Sequence, residues 1–213
     1  MTTDLEPEPE SARQILGDRL EHAREFAEHL AEEGDELGLI GPLEAARLWS
    51  RHLLNCALVA PLLTAGARVA DVGSGAGLPG LVLAIARPDV ELVLIEPMER
   101  RTTWLLAETE RLGLRNVTVL RARAEDAVEA GPFDQVTARA VSALTKLVPL
   151  TVPLLPPGGQ LLFLKGARIH EEITAARSVL RRHGIHEHEV LELGGDLLPE
   201  ATRLFRATVV GAS

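Results

Sequence analysis

The chain is short of cysteine, aromatic residues and long apolar runs. Of its 213 residues one is cysteine, Cys56. That excludes an internal disulfide and any multi-cysteine metal site. Cys56 is most simply a small buried apolar residue. Only four phenylalanines and two tryptophans are present. Trp49 could in principle stack on a splayed base, but core packing is the simpler reading. No apolar run reaches the roughly 18 residues that a membrane span needs. No internal repeat and no low-complexity tract appears. The N-terminus, Met1-Thr-Thr-Asp-Leu-Glu-Pro-Glu-Pro-Glu10, lacks the basic start and apolar centre of a signal peptide. A cytoplasmic location without membrane contact is expected.

Charge is unevenly spread. The net charge is −9. Residues 1–41 hold 12 acidic and 3 basic side chains, which accounts for the whole excess, and residues 42–213 balance 19 against 19. Of the 19 basic residues in that body, 17 are arginine. Arginine suits paired contacts to phosphate or guanine better than lysine does. The acidity therefore opposes indiscriminate RNA binding and leaves a specific RNA substrate open.

What is present centres on Arg68-Val-Ala-Asp-Val-Gly-Ser-Gly-Ala-Gly-Leu-Pro-Gly80. A short apolar strand runs to Asp71-Val72, the chain turns through Gly73, Gly75 and Gly77, and a helical pattern opens at Leu78-Pro79. Strand, glycine turn and helix N-terminus make a nucleotide site of the Rossmann type. Gly75-x-Gly77-x-x-Gly80 matches the dinucleotide fingerprint. Asp71-x-Gly73-x-Gly75-x-Gly77 equally matches the loop of methyltransferases that bind S-adenosylmethionine. The second strand, Glu91–Ile95, ends in Glu96, a carboxylate able to accept from ribose hydroxyls of either cofactor. The loop alone leaves both open.

Downstream, strands and helices alternate, the sign of a parallel sheet with crossover helices. Strands are expected at 117–120, 133–139 and 160–164, and helices at 98–112, 142–155 and 170–183. The last two strands, 185–193 and 203–210, lie too close in sequence for a crossover and must form an antiparallel hairpin. A mostly parallel seven-stranded α/β sheet ending in such a hairpin is the Rossmann-like class I methyltransferase variant, not the dehydrogenase one. Ahead of it, residues 1–10 read as a disordered acidic tail. Residues 11–66 read as a helical extension, with one amphipathic helix from Ser11 and a second over about 43–63. The methyltransferase domain takes up residues 67–213.

With these residues read, the sequence resembles the glucose-inhibited-division-protein-B family of small-subunit ribosomal RNA guanine-N7 methyltransferases, from about Leu37 to Val210. The resemblance rests on Arg51-His52-Leu-Leu, on Asp71 to Gly80 with its Gly-Leu-Pro-Gly ending, on Arg139-Ala140, and on Leu164-Lys165-Gly166. The chain departs from the family pattern at Asn55-Cys56, where Asp-Ser is usual, and at Leu39-Ile-Gly-Pro42, where an asparagine-rich segment is usual.

The resemblance implies S-adenosylmethionine as cofactor, with Gly73, Gly75 and Leu78 lining it and Glu96 holding the ribose. It further implies Ala124 and Glu125 at the adenine and Arg139 closing the site, both as a cofactor contact and as the residue nearest the chemistry. It implies ribosomal RNA or the small subunit as partner. A monomer without metal is expected; His183, His186 and His188 read as surface residues. Guanine N7 carries no proton, so the lack of a Ser/His/Asp or Cys/His arrangement fits this chemistry. Two alternatives are a methyltransferase acting on a small molecule or protein, and a non-catalytic nucleotide- or NAD-binding protein.

Overall fold

The apolar stripe that begins at Ala12 forms two helices in the computed structural model, which describes residues 5–210. Helix α1 (Ser11–Leu16) and helix α2 (Leu20–Glu33) meet at a 3-10 turn, Gly17–Arg19, where glycine weakens helix continuation. Leu16, Leu20, Phe26, Ala27 and Leu30 face inward and are buried.

The expected second helix over 43–63 is instead a chain of short turns. A 3-10 turn (Ala45–Arg47) leads into a π turn (Trp49–Leu53), helix α3 (Leu54–Ala57) and a 3-10 turn (Ala60–Leu62) that carries Pro61. The wider π turn buries Trp49 and Leu53 while bringing the Arg51 carbonyl and His52 to Arg139 at the end of the fourth strand. Such turns often accompany functional sites. Trp49 is 2% exposed, so it is core.

Of the acidic tail expected to be disordered, residues 1–4 lie outside the described residues. Residues 5–10 run against the body instead. Glu6 donates its N–H to the Ala45 carbonyl at 2.9 Å and accepts from Ser50 N–H at 2.9 Å, and Glu8 pairs with Arg24. Composition suggested a solvated tail; these backbone and carboxylate partners override it.

The sheet follows from period-two and continuous apolar runs. It contains β1 (Arg68–Val72), β2 (Glu91–Ile95), β3 (Val117–Leu120), β4 (Gln135–Arg139), β5 (Gln160–Lys165), β6 (His188–Leu193) and β7 (Thr202–Thr208). Their order is β3-β2-β1-β4-β5-β7-β6. The first five are parallel, β7 runs antiparallel to β5, and β6 pairs antiparallel with β7. The expected closing hairpin is present. Crossovers are α4 (Gly80–Ala86), α5 (Glu99–Arg111), a 3-10 segment (Ala124–Ala130), α6 (Leu144–Thr151) and α7 (Ile169–Arg182).

Alternate side chains divide the sheet into two buried faces. Val69, Leu92, Leu94 and Leu162 face a core shared with α1, α2, α3, α4 and α5. Ala70, Val93, Val136 and Phe163 face α6, α7 and the 124–130 segment. The N-terminal helices are therefore part of the same core as the sheet. Each fully buried large side chain among them contributes about 1.5–3 kcal/mol relative to exposure.

Candidate active site at the ends of the parallel strands

β1 is central, and the strand order switches direction beside it, so a crevice opens where the chain leaves β1 and β4. The loop leaving β1 is held from below by two carboxylates. Asp71 is fully buried; its Oδ2 accepts from Gly80 N–H at 3.0 Å and its Oδ1 from the Thr137 hydroxyl at 3.2 Å. Burial pushes Asp71 up to about 6, against the opposing pull of its hydrogen bonds. A Cβ on Gly80 would come within 2.5 Å of Asp71 Oδ2, so only glycine lets the helix start this close to the strand.

Glu96, at the end of β2, is the second support. Its Oε2 accepts from Gly75 N–H at 3.0 Å and its Oε1 from Met98 N–H at 2.9 Å. The side chain is 2% exposed, with Arg101 Nη1 lying 3.9 Å from Oε2. The buried Nε of that guanidinium has no partner among the described residues. Gly73 has φ 73°, and a Cβ there would sit 2.8 Å from Val141 Cγ2. The glycine loop and the loop leaving β4 thus touch.

The sequence-expected residues fall along four neighbouring strand ends. Ala124 and Glu125 follow β3, Glu96 follows β2, Gly73, Gly75 and Leu78 follow β1, and Arg139 ends β4. Gly75 and Glu96 are in direct contact. Ala124 is buried and Glu125 exposed at the start of a 3-10 segment that the sequence reading left without structure.

Arg139 turns toward the N-terminal turns. Its Nη2 donates to His52 Nδ1 at 2.6 Å and to the Arg51 carbonyl at 3.3 Å, and Nη1 points at Cys56 Sγ at 3.4 Å. Since Nδ1 accepts, the His52 proton sits on Nε2, which donates to Glu44. Burial, then the Arg139 charge, holds His52 below the usual imidazole range. Burial likewise raises the Cys56 thiol. Glu44 is lowered despite its burial, because Arg47 and His52 both bond to it. Asn55 is a structural tie, accepting from the Thr202 hydroxyl at 2.7 Å.

Beyond Arg139 the backbone enters the left-handed region at Ala140, φ 55°, a conformation that costs energy in a residue with a Cβ. It borders a cavity of about 580 Å³ between the ends of β4 and β5, lined by residues 139–142 and 164–167 with Arg51, Glu172 and Arg203. The sequence reading named Lys165 within a motif but did not find Glu172 or Ser142, which it brings together.

The strand order and the glycine loop together define the Rossmann-like methyltransferase fold. Solved structures share it: cofactor-bound Rv0187 from MTB matches with TM-score 0.62 at 20% identity, covering 88% of this chain and 90% of that one. Fibrillarin from Aeropyrum pernix, in complex with natively bound S-adenosyl-L-methionine, matches with TM-score 0.56 at 18% identity, covering 75% of each. The particular family follows from sequence. Residues 19–198 match the model of the rRNA small subunit methyltransferase G family, and the chain belongs to it. Ribosomal RNA small subunit methyltransferase G of Leifsonia xyli is 59% identical over 209 residues, 98% of this chain and all of that relative. The protein of the same name from Clavibacter sepedonicus is 57% identical over 207 residues, 97% of this chain and 98% of that relative.

Proposed function

We infer that the protein uses S-adenosylmethionine to methylate N7 of a guanosine in small-subunit ribosomal RNA, in the cytoplasm where such particles are assembled. The observation that carries this reading is the glycine loop tied to Asp71 and Glu96, in a chain of the rRNA small subunit methyltransferase G family.

The residues present suit the cofactor. A Cβ on Gly75 would meet only one atom within 4 Å, the Gly73 carbonyl at 3.8 Å, so the loop leaves room for a ligand against its backbone. Each oxygen of Glu96 spends one acceptor position on a backbone N–H, Oε2 on Gly75 and Oε1 on Met98, and keeps another for a ribose hydroxyl. Ala124 and Glu125, at the start of the 3-10 segment after β3, would meet the adenine. The cofactor supplies a methyl group on a positively charged sulfur.

With the cofactor bound, its methyl group would pass to the N7 lone pair and the electron pair of the carbon–sulfur bond would stay on sulfur. No proton leaves N7, so no side chain need act as a base. The protein's part is to hold the base in line, which alone supplies several kcal/mol. Arg139, fixed by His52 and the Arg51 carbonyl, serves as a wall between cofactor and base. It does not point its charge at N7, where it would oppose the cation that forms.

Calorimetry with S-adenosylmethionine, its demethylated product and NAD tests the cofactor. The first two should bind and NAD should not; binding of NAD alone would contradict the assignment.

A further inference from the structure

The cavity beyond Arg139 contains a carboxylate that neither the cofactor site nor the core uses. Glu172 lies in the first turn of α7 and reaches across to the end of β5. Its Oε2 accepts from Lys165 Nζ at 2.9 Å and from Leu144 N–H at 3.2 Å. Its Oε1 has no donor among the described residues. Lys165, whose side chain is 8% exposed, is itself fixed by the Ser142 carbonyl at 2.8 Å. One oxygen is thus locked, and Glu172 is among the residues that line the cavity. The Ser142 hydroxyl is buried with no partner among the described residues. A pre-oriented carboxylate acceptor in a cavity suits a donor-rich ligand.

The cavity lies where the substrate base must lie. It opens at the ends of β4 and β5, and its wall residue Val141 touches the glycine loop at Gly73. At about 580 Å³ it falls within the roughly 300–1,000 Å³ of small-molecule sites, ample for one nucleotide. A base buried in a duplex cannot reach such a pocket, so the nucleotide enters unstacked. Arg51 and Arg203 at the mouth suit its phosphates.

We propose that this cavity is the guanine pocket and that Glu172 reads the Watson–Crick edge of the base, accepting from N1–H and the N2 amine. The proposal rests on the methyltransferase reading above and names the residue that selects its substrate. Guanine alone among the four RNA bases offers two adjacent donors on that edge. Adenine and cytosine present a ring nitrogen acceptor there, which a carboxylate repels. With the Watson–Crick edge held by Glu172, N7 on the opposite side of the purine is left free to face the methyl group.

The same contact favours the reaction itself. Methyl transfer leaves the purine cationic, which makes N1–H a stronger donor. Its bond to the carboxylate therefore tightens as the reaction proceeds, and Glu172 lowers the barrier beyond what it adds to binding. Lys165 acts as a positioning residue: it fixes Oε2 and leaves Oε1 turned to the base.

The test compares guanosine with inosine, which lacks the N2 amine but keeps N1–H and N7. RNA is ligated to carry either base at the methylated position, located beforehand by mass mapping with the unaltered protein. The unaltered protein should prefer guanosine by about tenfold in kcat/KM, the worth of one hydrogen bond to a charged group. Glu172→Gln should lower kcat/KM on guanosine by about 10- to 100-fold, mostly in kcat, and bring the preference near one. Its affinity for the demethylated cofactor should not change. Glu172→Asp, which keeps the charge beside Lys165 but shortens the reach, should also narrow the preference. Equal rates on both bases with the unaltered protein would overturn the proposal, as would an undiminished preference in either variant. Failure of the unaltered protein to methylate either RNA would instead sink the methyltransferase reading.

Discussion

Asp71 is the residue at which charge and packing conflict most directly. Its carboxylate is fully buried and rises to about 6 from an ordinary 3.8. A pKa raised on folding contributes stability that is complete below 3.8 and lost as pH rises through about 6. Above that pH the ionised group costs about 3 kcal/mol, from a shift of roughly two units. Asp71→Asn removes the cost and keeps the geometry, because the amide oxygen can accept from Gly80 N–H and the amide nitrogen can donate to Thr137 Oγ1. Denaturant unfolding should show the variant more stable than the parent above about pH 6, with the gap closing toward 3.8. A constant gap across that range would mean that Asp71 is not the titrating group.

Arg139 and Glu96 make separate claims at the same scale. The guanidinium of Arg139 bonds to two partners with Nη2 and aims Nη1 at a third, an arrangement that a lysine ammonium cannot reproduce. Arg139→Lys should lose most of the methyl-transfer activity while the shape of its pH–rate profile stays unchanged. A new titration step in the variant would show that Arg139 takes part in proton transfer. Glu96→Ala should weaken S-adenosylmethionine binding by about 1.5–3 kcal/mol, the range for hydrogen bonds to a charged group. Unchanged affinity by calorimetry would leave Glu96 as a loop support only.

Among the elements, α1 and α2 share their buried face with α4 and the sheet, and an ion pair and a hydrogen bond bind α2 to α5. Glu33 pairs with Arg111, and His29 Nδ1 lies 2.8 Å from the buried Glu108, whose own pKa burial raises. Removing residues 1–36 should therefore give a protein that melts far below the full chain or aggregates, as the lost apolar stripe is worth several kcal/mol even after the entropy of ordering. Melting like the full chain would make these helices an appendage. Removing residues 1–10 should lower the melting temperature only slightly, since it takes away the Glu6 bonds and the partly exposed Glu8–Arg24 pair and little apolar surface.

How far these elements were legible in the sequence depended on how local their causes are. The glycine loop, the succession of strands and the closing hairpin were legible, because strand periodicity, glycine spacing and loop length are written in adjacent residues. The turns between Ala45 and Leu62 were not. Their apolar spacing fits a regular helix, and packing against α2 and β4 selects the wider π turn. Glu172 was invisible for a different reason. An acidic side chain in a first helical turn already has an ordinary electrostatic explanation. Its pairing with Lys165 arises only when α7 folds back over the end of β5. The same holds for His52 and Arg139, 87 positions apart in sequence and 2.6 Å apart in space.

For the whole molecule, charge and fold point to one kind of substrate. The net −9 is confined to residues 1–41, and the body that carries the site is neutral and rich in arginine. Removing residues 1–10 deletes four acidic groups and should raise non-specific RNA affinity slightly at low salt, an effect that added salt screens away. The central claim is narrower: one methyl group, transferred to N7 of a guanosine in small-subunit RNA. N7-methylguanosine is cationic, and its RNA strand can be cut at that nucleotide by borohydride reduction followed by aniline. Small subunits lacking the modification should be incubated with the protein and S-adenosylmethionine and their RNA treated in this way. The account predicts a single new cut at a guanosine, absent when the cofactor is withheld. Methyl incorporation without a new cut, or none at all into RNA, would contradict it.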